Sequence, residues 1–284
     1  MHSQLDLFVT FVGDVPLRDE RESMSLPMVS LSKRKRNRPI EWTSSDGKRW
    51  CHISANPLYG MATIYDLDVI IWAVSQINEA IEKGLKHAPT LQVEPYTLLK
   101  AIGREVGGAH YKRLFAALDR LQATTVKTSI RGEGKRQEAT FSWLESWTQT
   151  VDEHTGKVRG MTITLPQWIY KAVAEERAVL AVAPEYFQIT SGYSRWLYRL
   201  ARRHAGKQVG GFRFLLRHLH ERSGSTQPYN QFARDLRRVI TRNDLPEYHI
   251  ELIKGQKGDE VLSMVRDPGR IGMPQRRDLR RFGG

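Results

Sequence analysis

Cysteine is almost missing from this chain. A single residue in 284, Cys51, excludes a disulfide framework and any zinc site built on several cysteines, and it suits a reducing compartment. Long apolar runs are missing too. The longest, around Val69–Val74 and Ala178–Pro184, fall far short of the ~20 residues that cross a bilayer. The start carries Asp6 and lacks a basic segment followed by an apolar one, so no secretory leader is expected. These absences point to a cytoplasmic chain with no membrane partner. Acidic residues are also in short supply. Thirty-one Asp and Glu face forty-four Lys and Arg, a net charge of +13, and an excess of that size points to a polyanionic partner.

What is present is a protein able to fold, since 40% of its residues are apolar. The first forty or so residues show no periodicity. They hold an apolar patch at Leu5–Phe11 and the run Lys33-Arg34-Lys35-Arg36, and they read as a flexible tail over 1–41. Residues 269–284, with five arginines among Gly and Pro, read as a basic C-terminal tail.

Between the tails lies an internal repeat. Leu67, Ile70, Ile71, Val74 and Ile77 share one helical face. Pro95 opens a short helix through Leu98, Leu99 and Ile102, stopped by Gly103. A third helix carries Leu114, Phe115, Leu118 and Leu121, and a β-hairpin follows over Thr124–Ile130 and Ala139–Trp143. The second copy repeats the order. Tyr193, Trp196, Leu197 and Leu200 mark its first helix, Phe212, Leu215, Leu216 and Leu219 its second, and Phe232, Leu236, Val239 and Ile240 its third. Its hairpin runs through Tyr248–Ile253 and Val261–Val265. Three helices and a hairpin, twice over, predict an α+β chain of two tandem winged-helix domains, 42–165 and 166–268.

The third helix of the second copy carries Asn230, Gln231, Arg234, Arg237, Arg238 and Arg242 around its apolar stripe. Arginine forks match guanine and amides match adenine in the major groove, so these are the candidate base readers. Lys254 and Lys257 at the hairpin tip would reach backbone or minor groove. In the first copy, Lys112, Arg113, Arg120 and Lys135 suit phosphate contacts, which position without specifying sequence. That copy's hairpin could equally pair with a second copy of the chain as a homodimer.

Signals of catalysis are weak. His218-Leu219-His220 matches the metal pair of rolling-circle nucleases, with Tyr229 nearby, but on a helix positions i and i+2 diverge by about 200°. Gly103–Gly108 lacks the Gly-Lys-Ser/Thr ending of a phosphate loop. Cys51-His52 is a lone pair of potential ligands. The expectation is a binding protein, not an enzyme, with no cofactor and no metal; a transcriptional regulator or, further off, a rolling-circle nuclease are the alternatives.

Gln4-Leu5-Asp6-Leu7-Phe8 has the form Gln-Leu-x-Leu-Phe, by which bacterial proteins dock on the replicative polymerase's sliding clamp. Gln4 would fix register while Leu7 and Phe8 anchor in an apolar pocket, with Leu5 a further clamp-binding residue. With Asp66-Leu67-Asp68-Val69, Tyr96–Gly103, Leu118-Asp119-Arg120-Leu121 and Trp196-Leu197 before His204-Ala205, the chain resembles the replication initiator protein A family of bacterial plasmids, and is similar to TrfA-type initiators. The resemblance implies binding to direct repeats (iterons) in double-stranded origin DNA and opening of an A·T-rich segment. It also implies recruitment of the host clamp and replicative helicase, with dimers that restrain replication.

Overall fold

The computed structural model describes residues 7–129, 138–156, 158–256 and 258–270. Its contacts divide the chain into two compact units, Met1–Val182 and Ala183–Gly284.

The first unit is built around one helix. Its elements in chain order are β1 (Leu7–Val9), β2 (Arg18–Glu20), β3 (Ile40–Thr43), β4 (Trp50–Ser54), α1 (Leu67–Glu82), β5 (Thr90–Val93), α2 (Pro95–Ala101) and α3 (Gly108–Ala123). There follow β6 (Thr125–Thr128), β7 (Ala139–Ser142), β8 (Ser146–Val151), β9 (Val158–Thr164), α4 (Gln167–Ala174) and β10 (Val179–Ala181). They form two four-stranded sheets, β1-β5-β9-β8 and β3-β4-β6-β7, and the antiparallel pair β10-β2. Helix α1 is buried without a break from Leu67 to Asn78, more than the single apolar face that periodicity predicts. The second face is polar, and the N-terminal segment satisfies part of it. Gln76 Oε1 accepts from Phe11 N at 2.7 Å and Ser75 Oγ from Arg18 N at 2.7 Å, so the N-terminal segment closes over the helix.

From residue 7 onward, that segment corrects the expectation of a flexible tail over 1–41. Leu7, Phe8 and Val9 pair in parallel with Thr90, Leu91 and Gln92 of β5. Met24, Leu26, Met28 and Val29 are buried, and Ser30 bridges to Thr63. Buried Glu20 accepts backbone N–H groups of Glu22 at 3.0 Å and Ser23 at 2.9 Å, and so shapes the turn that inserts these side chains. The division of the chain likewise falls between Val182 and Ala183, not at 165/166. The apolar face of α4, with Ile169, Ala172 and Val173, is buried in the first unit, and β10 pairs with β2.

The second unit runs α5 (Gly192–His204), β11 (Phe212–Leu215), α6 (Leu216–Arg222), α7 (Tyr229–Arg242), β12 (Tyr248–Lys254) and β13 (Glu260–Arg266). Phe212–Leu215, expected as helix, is a strand that pairs with β13, giving a sheet of order β11-β13-β12. Its core gathers Trp196, Leu200, Leu219, Phe232, Leu236, Ile250, Leu262 and Met264. A charge is buried with them. Arg195 is fully enclosed, donates to the carbonyls of Ile189 at 2.7 Å and Phe187 at 2.9 Å, and lies over the Tyr186 ring at 5.1 Å. The helix–strand–helix–helix–strand–strand order of α1 to β7 recurs from α5 to β13. Among the described residues no helix is long and apolar enough to cross a membrane.

If β1 is part of the fold, Phe8→Ala should lower unfolding stability by about 3 kcal/mol, the low end for a buried ring. Chemical denaturation measures this; an unmoved midpoint would return the segment to the status of a tail.

Candidate nucleic-acid interface

In the second unit the site is the outer face of α7. Phe232, Ala233, Leu236, Val239 and Ile240 point inward, and this stripe fixes which face meets solvent. The helix ends at Asn243, in the left-handed conformation at φ 45°. The Asn243 side-chain oxygen accepts from Ile250 N at 3.0 Å, stitching the helix exit to β12. Arg270 donates to the Asn243 and Tyr248 carbonyls, both at 3.0 Å, anchoring the chain at the point where the basic C-terminal segment begins.

Asn230, Arg234, Arg237, Arg238 and Arg242 are all exposed on this face, and the side chain of Arg238 is 71% accessible. They are not equally free. Arg237 grips Glu260 of β13 with both arms, Nε at 2.9 Å and Nη2 at 2.6 Å, tying helix to hairpin. This fork holds the Glu260 carboxyl below the ordinary carboxylate range. Gln231 is engaged at both ends of its amide: Nε2 donates to Asp235 at 3.1 Å, and Oε1 accepts from Arg234. Gln231 therefore orients Arg234, and reading adenine with it would require both bonds to break. Asp235 also accepts from Gln227 at 3.1 Å and lies 3.6 Å from Arg238. Arg242 stands 3.8 Å from Asp244. Lys254 is exposed at the hairpin end, opposite Glu260 in register. Lys257 lies outside the described residues.

In the first unit, Lys112 and Arg113 are exposed on α3, whereas Lys135 lies outside the described residues. Arg120 departs from the expected phosphate contact. Its Nε and Nη2 donate to Asp66 at 2.8 and 2.7 Å, and this pairing raises its pKa. Asp66 is nearly buried and must be matched, so this guanidinium serves the fold. Arg104 pairs in the same way with fully buried Asp68 at 2.5 Å. Sequence reasoning missed a cleft of about 710 Å³ between α3 and the basic run, lined by Lys33, Arg34, Lys35, Arg104, His110 and Arg113 among others. The run itself was the signal, but nothing in it says which surface it covers.

The clamp-like peptide divides. Gln4 and Leu5 lie outside the described residues, Leu7 is half exposed, and Phe8 is buried against Phe11 with ring centroids 5.9 Å apart. His218 and His220 sit on α6, where they diverge. The His220 ring is bonded to Gln227 O at 2.8 Å and packs on Phe232, which makes it a brace across the α6–α7 turn. Burial pushes the Cys51 thiol up to about 12, as suits a core residue.

Residues 18–250 match the family model described as replication initiator protein A. The chain belongs to the replication initiator protein A family. Its role in initiating DNA replication follows from that membership. A chain from Wigglesworthia glossinidia brevipalpis, described as a replication protein, is 32% identical over 195 residues, covering 67% of this chain and 70% of the relative. Among solved structures, domains 2 and 3 of RctB resemble this family member with a TM-score of 0.58 over 85% of this chain and 95% of that one, at 14% identity. A second structure of the same domains gives 0.56 over 86% and 96%, at 13% identity. At such identities the likeness concerns the fold alone, a mixed α+β architecture.

Two alanine variants separate the roles of the first unit's cations. Arg120→Ala should cost about 3 kcal/mol of stability, as expected when a buried carboxylate loses its partner. Lys112→Ala should leave stability unchanged and flatten the slope of log affinity for duplex DNA against log salt by about 0.9. A salt effect at Arg120 with no loss of stability would overturn this assignment.

Proposed function

We infer that this initiator binds repeated sites in double-stranded origin DNA, with α7 of the second unit as the helix that reads bases in the major groove. The observation that carries the reading is the face of α7. An apolar stripe fixes its back, a left-handed Asn243 fixes its end, and Asn230, Arg234 and Arg238 stand in solvent at the front. The helix–strand–helix–helix–hairpin order of the second unit is that of a winged helix, with β12–β13 as the wing. Arg234, aimed by Gln231, and Arg238 are the candidate forks for guanine. Arg237 serves this surface by holding the wing to the helix through Glu260.

On this reading the chain works without catalysis or cofactor, in the bacterial cytoplasm. Binding energy from several protomers on adjacent iterons bends the DNA and strains a neighbouring A·T-rich segment. Recruitment of the host clamp through Gln4–Phe8 would require β1 to leave β5, because Phe8 is buried there. The outer edge at β8, where Thr148–Val151 are exposed, offers backbone groups to a second copy. Recruitment of the replicative helicase remains an expectation of the family.

The test is fluorescence anisotropy on origin duplex and on a scrambled duplex of the same length. Replacing both Arg234 and Arg238 by Ala should bring the two affinities together, with about 1–3 kcal/mol of discrimination lost for each fork removed. Discrimination that survives in the folded double variant would move base reading elsewhere.

A further inference from the structure

We propose that the cleft of the first unit binds a nucleotide whose base is unpaired, with the phosphate on its basic rim and the base on its apolar floor. The rim draws cations from separate segments, Lys33, Arg34 and Lys35 ahead of β3 and Arg113 on α3, while Arg104 is paired with Asp68 and His110 lies 3.3 Å from Glu105. Two possible neutralising groups are already committed, since Asp66 is held by Arg120 and Asp68 by Arg104. Among the described residues, no carboxylate lies within ion-pair distance of Lys33, Arg34, Lys35 or Arg113. The Lys35 ammonium donates to Leu58 O at 2.9 Å, and that of Lys33 lies 4.7 Å from the Tyr65 ring centre. Both contacts leave the positive charge uncompensated. Like charges gathered on one rim repel one another, and an anion seated there would relieve that cost.

The floor says what else the ligand carries. Val69, Leu99, Leu114 and Ala117 line the cleft from α1, α2 and α3, with Ile102 just past the end of α2, and Tyr59 stands part-exposed at its mouth. Inorganic phosphate would leave this apolar surface wet. The backbone of a duplex is convex, so it meets the rim and leaves the floor empty. A nucleotide unit offers a phosphate, a sugar and a flat apolar body with a face for a tyrosine ring. The volume of about 710 Å³ is that of a small-molecule site. The source of such a unit is either a free mononucleotide or an unpaired position within a strand. This goes beyond duplex binding by α7 and does not depend on it.

The experiment uses the full-length chain, a fluorescein-labelled oligothymidylate, and two competitors, thymidine monophosphate and a random-sequence duplex. Ala116→Trp is the deciding variant, because Ala116 is a half-buried lining residue and an indole there fills the cleft without replacing a cation. Oligothymidylate binding should weaken at least about tenfold in Ala116→Trp, while the affinity for origin duplex stays as in the parent. If the indole perturbs folding, Arg34→Glu with Arg113→Glu, both on exposed positions, should give the same loss at an unchanged melting temperature. Competition by thymidine monophosphate identifies a free nucleotide as ligand; competition by unlabelled oligothymidylate alone identifies a strand. The proposal is overturned if oligothymidylate does not bind, if the duplex displaces it as readily as unlabelled oligothymidylate does, or if neither variant weakens it. Loss of origin recognition in the Arg234/Arg238 variant with oligothymidylate binding intact would locate a failure in α7 and leave the cleft untouched.

Discussion

Two carboxylates at the start of α1 govern the first unit. Asp66 and Asp68 are removed from water, a state that costs several kcal/mol per ion unless a partner is supplied. Arg120 of α3 meets the first and Arg104 of the α2–α3 connection meets the second, while Asp66 also accepts the backbone of Thr63 at 2.8 Å. The pairs thereby fix α3 and its preceding turn against α1. They also set the electrostatics of the cleft beside them. By satisfying each other they leave Lys33, Arg34, Lys35 and Arg113 on the rim with no carboxylate partner among the described residues.

The second unit solves a related problem with fewer buried ions and a finer surface. Its α7 is held from behind by apolar packing and at its exit by Asn243, and of the outer-face arginines only Arg237 is tied to the hairpin. That exception matters for function. The Arg237–Glu260 fork joins the helix to the hairpin beside it, so both would meet DNA as one surface. Gln231 and Asp235 then restrict Arg234, which lowers the entropy cost of using its guanidinium. The +13 charge thus splits into arginines that build the fold, arginines that shape the surface and arginines left for a partner.

Much of this was legible in the sequence. The helices α1, α3, α5 and α7 announce themselves by period, and the hairpin β12–β13 by its turn. The α7 face followed from the same stripe. Three things were not legible, each for a physical reason. The N-terminal segment buries Met24, Leu26, Met28 and Val29 from an irregular backbone, which carries no period. Phe212–Leu215 reads equally well as helix or strand, because an apolar run this short is settled by its neighbour β13 and not by its own pattern. The partners of Arg120 and Arg237 stand far away along the chain, at Asp66 and Glu260, so charge counting placed both arginines on DNA. By contrast Gln231 and Asp235 are one helical turn apart, and that contact could have been read directly.

Recognition of tandem sites in origin DNA by a pre-ordered basic helix face is open to hydroxyl-radical footprinting of the full-length chain on the origin region of its own replicon. Protection should recur at a regular interval, once per repeat and on the same face of the duplex. A single protected palindrome, or no protection at a concentration that saturates binding, would contradict it.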